Sequence, residues 1–230
     1  MKIYGLQKMT LLDFPGHVAC TVFLGGCDFR CPFCHNFELA NASAEPIMDD
    51  TEVIKFLEKR KGLLDGVAIT GGEPCLNREL PDFIQKIRSL GFAVKVDTNG
   101  YHPDMLAEIL NNSIADYVAM DIKNSPEKYA ATCGVKSIAM DKIKESISLL
   151  ISSDIDYEFR TTAVEELHDV DDFRAIGTMI KGAKKYFIQC FTDRDTVPFG
   201  NLHAPSNEKL KEFAAAASEY IPNTELRGVD

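Results

Sequence analysis

Apolar positions along this chain switch repeatedly between two periods. Runs of strand length, rich in branched, aromatic or small apolar residues, recur at 18–24, 66–70, 92–96, 115–120, 157–163 and 185–191. The first of these, Val-Ala-Cys-Thr-Val-Phe-Leu, is nearly continuous, as expected of a parallel strand buried on both faces. Between the runs the apolar spacing becomes helical. Residues 49–61 place Val53, Ile54 and Leu57 on one face behind Asp49 or Asp50 as a cap, and 80–90 stops at Gly91. Further helices are predicted over 103–110, 126–132, 140–151, 169–181 and 207–220. Residues 10–16 read as a turn after a short lead, and 225–228 as a short final strand or tail.

Strand followed by helix, about six times, predicts a parallel sheet joined by right-handed crossovers. Polar clusters stand just after four of the strands: residues 27–36, 71–74, 97–100 and 121–123. Sites in α/β barrels gather at the C-terminal ends of strands. Six units are too few for eight-strand closure, so the expected fold is α/β, a partial, laterally open (β/α)6 barrel. An open doubly wound sheet is the alternative. No repeat or linker divides the chain, and residues 1–230 are read as one domain.

With 230 residues, 45% of them apolar, a substantial core is available. A net charge of −10 argues against a nucleic-acid surface. The N-terminus has no charged-then-apolar leader and no run reaches membrane-spanning length, so no membrane partner is expected. The seven cysteines are odd in number and three crowd into one loop, unlike a disulfide framework. The protein is therefore read as cytoplasmic with reduced thiols.

That loop, Cys27-Asp28-Phe29-Arg30-Cys31-Pro32-Phe33-Cys34-His35-Asn36, follows the first strand and the pair Gly25-Gly26. Thiolates select zinc or an iron–sulfur cluster. Structural zinc normally takes four protein ligands, and His35 could be the fourth. A cube held by three cysteines instead leaves one iron open. The spacing alone allows both.

Cys27-x3-Cys31-x2-Cys34 with Phe33 before the last cysteine resembles the cluster loop of the radical S-adenosylmethionine enzymes, and Gly71-Gly72-Glu73-Pro74 resembles their second motif. The resemblance implies a [4Fe–4S] cluster on Cys27, Cys31 and Cys34, with S-adenosyl-L-methionine chelating the open iron. Reductive cleavage would then yield a 5′-deoxyadenosyl radical that abstracts hydrogen. It further implies that Phe33 and the backbone to His35 hold the adenine, Gly71, Gly72 and Glu73 the amino group, and Asp97 the ribose or a cation. Lys123 would face the cofactor's carboxylate and Asp121 its ammonium. Arg160, a charge in a strand, is either a contact to that carboxylate or half of a structural ion pair.

Asp13-Phe14-Pro15-Gly16, Cys34-His35-Asn36 and Asp121-Ile122-Lys123 look like the glycyl-radical activating enzymes within that superfamily. The short chain, Arg160-Thr161-Thr162 and the closing Leu226-Arg227-Gly228 most resemble the activating proteins of anaerobic ribonucleoside-triphosphate reductase. The implied partners are that reductase, as the protein that acquires the glycyl radical, and flavodoxin or ferredoxin as electron donor. One departure stands out: where pyruvate formate-lyase activases carry a histidine after the late strand, this chain has Thr192 and Asp193. A radical enzyme acting on a small molecule and a zinc-stabilised binding module are the rivals. Cys20, Cys75 and Cys190 are read as structural, Cys133 as ending a helix, and His17, His102 and His203 as exposed.

Overall fold

Local sequence sets each element's limits before packing does. The structure, a computed structural model, describes residues 1–41 and 43–229. Its N-terminal half comprises strands β1 (Lys2–Ile3), β2 (Gly5–Thr10) and β3 (Ala19–Leu24), a short helix α1 (Phe37–Ala40), β4 (Met48–Asp49), α2 (Asp50–Glu58), β5 (Gly66–Gly71), α3 (Leu80–Ser89) and β6 (Ala93–Thr98). The second half follows with α4 (Pro103–Asn111), β7 (Tyr117–Asp121), α5 (Tyr129–Thr132), α6 (Met140–Ser152), β8 (Asp156–Ala163), α7 (Val170–Met179), β9 (Tyr186–Cys190), α8 (Asn207–Ser218) and β10 (Thr224–Arg227). Capping boxes start α2, through Asp49 and Glu52, and α7, through Asp169 and Asp172.

Eight strands form one sheet in the order β10-β9-β8-β7-β6-β5-β3-β2, parallel throughout except for β2, which runs antiparallel to β3. The six strand–helix units beginning at β3, β5, β6, β7, β8 and β9 make the partial (β/α)6 barrel expected, and β2 and β10 are its free edges among the described residues. β2 lies in the segment read as a lead and turn: Gly-Leu-Gln-Lys-Met-Thr has almost no strand pattern of its own, and pairing with β3 makes it a strand. Likewise β1 and β4 form only as each other's partner. The helix predicted from residue 126 begins at Tyr129. The residues before it are drawn into a turn, with Asn124 donating to the Leu167 carbonyl at 2.9 Å and Ser125 to Asp172 at 2.7 Å.

Strand β3 is buried on both faces, as its nearly continuous run predicts. The outer faces of the strands are apolar, in one core against α2 and α3 and another against the later helices. The inner face mixes small, polar and charged residues with Phe23 and Phe187. Inward positions include Thr21, Thr70, Lys95, Asp97, Asp121, Glu158, Arg160 and Thr162. Phe14 enters the other end of the barrel and packs on Ala19, Ala119 and Tyr117. From edge strand β10, Arg227 reaches in to Glu158 with two bonds of 2.8 and 2.9 Å, and Tyr117 donates to the same carboxylate.

Candidate functional site

The loop after β3 and the turn after β5 are fastened together by backbone. Gly72 N–H donates to Leu24 O at 2.9 Å and Glu73 N–H to Gly26 O at 2.8 Å. The approach is too close for side chains. A Cβ on Gly72 would stand 2.1 Å from Gly26 O, and one on Gly71, at φ +114°, 2.3 Å from Leu24 O. Asn36 adds a bond of 3.1 Å from its amide to Gly71 O.

Cys27, Cys31 and Cys34 all line one cavity of about 410 Å3 at this rim, together with Phe33, Gly71, Gly72, Glu73, Asp97, Asp121, Lys123 and Arg160. His35 lines it too, so the residues to which the resemblance gives cluster or cofactor roles border one space. Phe29 N–H lies 3.4 Å from Cys27 Sγ, and Arg30 folds back onto the Cys27 and Phe29 carbonyls at 2.6 and 2.7 Å. Burial pushes the Cys27 thiol up to about 12, so a ligand that needs its thiolate must displace a proton. The Cys133 thiol stands against Cys31 and lowers its pKa.

The donor set suits a cluster better than a single ion. A cube separates its thiolates onto different irons, whereas zinc draws every ligand to one centre. His35, the fourth ligand of a zinc knuckle, is engaged elsewhere. Its Nε2 lies 2.7 Å from the Thr192 carbonyl and its ring stacks on Phe191.

Glu73 is buried at 1% exposure, with Oε1 accepting from Cys75 N–H at 2.9 Å and Thr98 Oγ1 at 2.7 Å, and Oε2 from Asn99 N–H at 2.6 Å. Burial raises its pKa against the pull of these donors. Beside it runs a chain of charges across three strands. Lys95 pairs with Asp97, Arg160 lies 3.5 Å from Asp97 and 2.9 Å from Asp121, and Lys123 lies 2.9 Å from Asp121. Burial opposes ionisation of Asp121, but Arg160 and Lys123 outweigh it and hold its pKa at about 2. Asp97 is lowered in the same way, with Arg160 and Lys95 overriding burial. Arg160 is ion-paired to both carboxylates.

Replacing Arg160 with methionine is expected to destabilise the protein by about 3 kcal/mol at neutral pH, since two half-buried carboxylates lose their shared cation. The sign with pH follows from the lowered pKa values. Their stabilisation is present above the unfolded carboxylate value near 3.9 and is lost as pH falls toward about 2. The gap between the proteins in urea unfolding should therefore be full at pH 6–7 and narrow at about pH 3. An unchanged gap would assign the loss to packing alone.

Three residues escaped the sequence reading. Lys95 is 2% exposed inside the barrel, and its mark was the alternation Val94-Lys95-Val96-Asp97. His102, expected at the surface, is half-buried with Nε2 2.7 Å from Asp28 within the cysteine loop. His168 is buried. Its Nδ1 accepts Val164 N–H at 3.2 Å, so Nε2 carries the proton and donates to the Lys123 carbonyl at 2.9 Å. It thereby fixes the turn that carries Asp121 and Lys123.

With three thiols on the loop after the first parallel strand and polar strand ends around one cavity, the match of residues 21–174 to the radical SAM superfamily model has a structural basis. The chain belongs to the radical SAM superfamily, a family that uses a [4Fe–4S] cluster and S-adenosylmethionine. It is 30% identical over 239 aligned residues, 99% of this chain and 96% of the other, to a Methanocaldococcus jannaschii protein assigned by name to the glycyl-radical enzyme activating enzymes. The pyruvate formate-lyase-activating enzyme of Clostridium pasteurianum is 34% identical over 128 residues, which is 54% of this chain and 52% of that enzyme. In fold the chain resembles Streptococcus suis SuiB, solved with its precursor peptide SuiA, at a TM-score of 0.68 and 13% identity over 90% of this chain and 48% of that one. No helix among the described residues is long and apolar enough to cross a membrane.

Proposed function

We propose that this protein is a cytoplasmic, single-domain activase that installs a glycyl radical on a partner enzyme, the partner being an anaerobic ribonucleoside-triphosphate reductase. Cys27, Cys31 and Cys34 would hold a [4Fe–4S] cluster, with flavodoxin or ferredoxin as the electron source. When bound, the cluster and S-adenosylmethionine supply reductive cleavage and a hydrogen-abstracting 5′-deoxyadenosyl group.

The protein's own residues bind and orient. In the strand-end network three cations, Lys95, Arg160 and Lys123, face two carboxylates, Asp97 and Asp121, leaving one positive charge unbalanced. A ligand carboxylate suits Lys123 or Arg160, and its ammonium suits Asp121 or Asp97. Gly71, Gly72 and Glu73 offer close backbone to the amino group, and Phe33 with the backbone to His35 a side for the adenine. The open flank between β2 and β10 admits a loop of the partner. The observation that carries this reading is the meeting of the three thiols and these strand ends in one cavity, in a chain with a whole-length relative of the activating group.

Anaerobic reconstitution followed by dithionite and S-adenosylmethionine should give a brown protein with about four irons that releases 5′-deoxyadenosine. Adding purified anaerobic reductase should then give a glycyl radical signal in electron paramagnetic resonance. A colourless protein holding zinc, with the cofactor intact, would end the radical reading. Cofactor cleavage without a radical on the reductase would end that choice of partner.

A further inference from the structure

The turn after β6 holds a polar side chain that the proposed chemistry does not use. Asn99 is 6% exposed, and its Nδ2 lies 3.7 Å from Cys27 Sγ. The orientation of the amide is determined by its other end, because Oδ1 accepts Tyr101 N–H at 2.9 Å and a backbone N–H can only donate. The amide's NH2 therefore faces the sulfur. Little freedom remains: Asn99 N–H is bound to Glu73, Gly100 N–H donates to Thr98 Oγ1 at 3.1 Å, and Ser146 donates to Gly100 O at 2.7 Å. Cys27 Sγ thus receives two N–H groups, from Phe29 and Asn99.

We infer that Asn99 is a positioning residue whose amide N–H, donated to the Cys27 sulfur, sets the reduction potential of the cluster this thiol helps to hold. The inference rests on the proposed cluster and deepens that reading. One electron from the donor adds negative charge to the cluster and its thiolates. An N–H directed at a sulfur stabilises that reduced state more than the oxidised one. Removing it makes the cluster harder to reduce.

A plain turn-capping role is separable from this one. Aspartate at position 99 would keep the acceptor for Tyr101 N–H but turn an oxygen toward the sulfur in place of the donor. The test is a redox titration of reconstituted protein followed by electron paramagnetic resonance, comparing wild type with N99A and N99D. At a potential that half-reduces the wild-type cluster, the reduced-to-oxidised ratio of N99A should fall on the order of tenfold, a shift of about 59 mV to more negative potential for a one-electron couple. The fall should be greater in N99D. Equal potentials in all three, or a rise in either variant, would overturn the inference and leave the proposed function intact. Loss of the cluster from both variants would overturn it too, since Asn99 would then retain the cluster rather than tune it. Wild type without a cluster would instead bring down the underlying reading.

Discussion

Serine at position 27, 31 or 34 is expected to leave a folded protein that takes up almost no iron and forms 5′-deoxyadenosine only at background. Each thiol lines the shared cavity, and a hydroxyl is a poor ligand for iron–sulfur clusters. Folding should survive, because the loop is secured by other bonds: Gly26 N–H to Leu39 O at 2.8 Å, Arg30 N–H to Cys133 O at 2.8 Å and Asp28 to His102 at 2.7 Å. C20A and C190S are the contrasting variants. Cys20 is an outward, buried residue of β3 and Cys190 ends β9, and neither lines the cavity. Both should retain the wild-type iron content. Iron analysis and product assay on the five proteins decide the matter, and a serine variant that keeps both cluster and cleavage would remove its cysteine from the ligand set.

The largest loss of stability is expected at Glu73. Truncation to alanine strands three buried donors, Cys75 N–H, Thr98 Oγ1 and Asn99 N–H, each of which costs about 1–3 kcal/mol when left unmet. Even with partial relief from water entering beside the cavity, E73A should be less stable by about 3–5 kcal/mol in denaturant unfolding. Glutamine should fall between. Its single oxygen can keep the two donors now on Oε1, but its NH2 then faces the Asn99 N–H. The expected order is wild type, E73Q, E73A. Near-equal stability of all three would mean that the turns after β5 and β6 do not depend on this carboxylate.

Much of this architecture was readable from the chain because its signals are local. The switch between strand and helix periods sets the six units, and Gly91, at φ +94°, ends α3 as its position suggested. The Gly-Gly-Glu-Pro turn could be placed at a strand end without knowing its neighbours. The unread parts depend on partners distant in sequence. Asn99 and Cys27 are 72 residues apart, His35 and Thr192 are 157 apart, and Lys123 and His168 are 45 apart. No spacing rule connects such pairs. The polar interior is a different case. Val94-Lys95-Val96-Asp97 and Tyr157-Glu158-Phe159-Arg160 alternate with period two, the ordinary mark of one apolar and one polar face. Reading 92–96 and 157–163 simply as strands leaves their inward polar faces unremarked.

The cysteine loop leaves β3 in the first half of the chain, yet Phe29, Cys31 and Phe33 are buried in the core built from β7, β8, β9 and the later helices. A ribosome that has released the first hundred residues has made the three thiols but none of those strands. The loop can fasten to the turn after β5 early, but the apolar floor under Phe29, Cys31 and Phe33 is missing until the second half of the polypeptide has emerged and folded. For the proposed cluster this implies delivery after synthesis, and a truncated chain ending before β7 would carry all three thiols without the core in which their loop is buried.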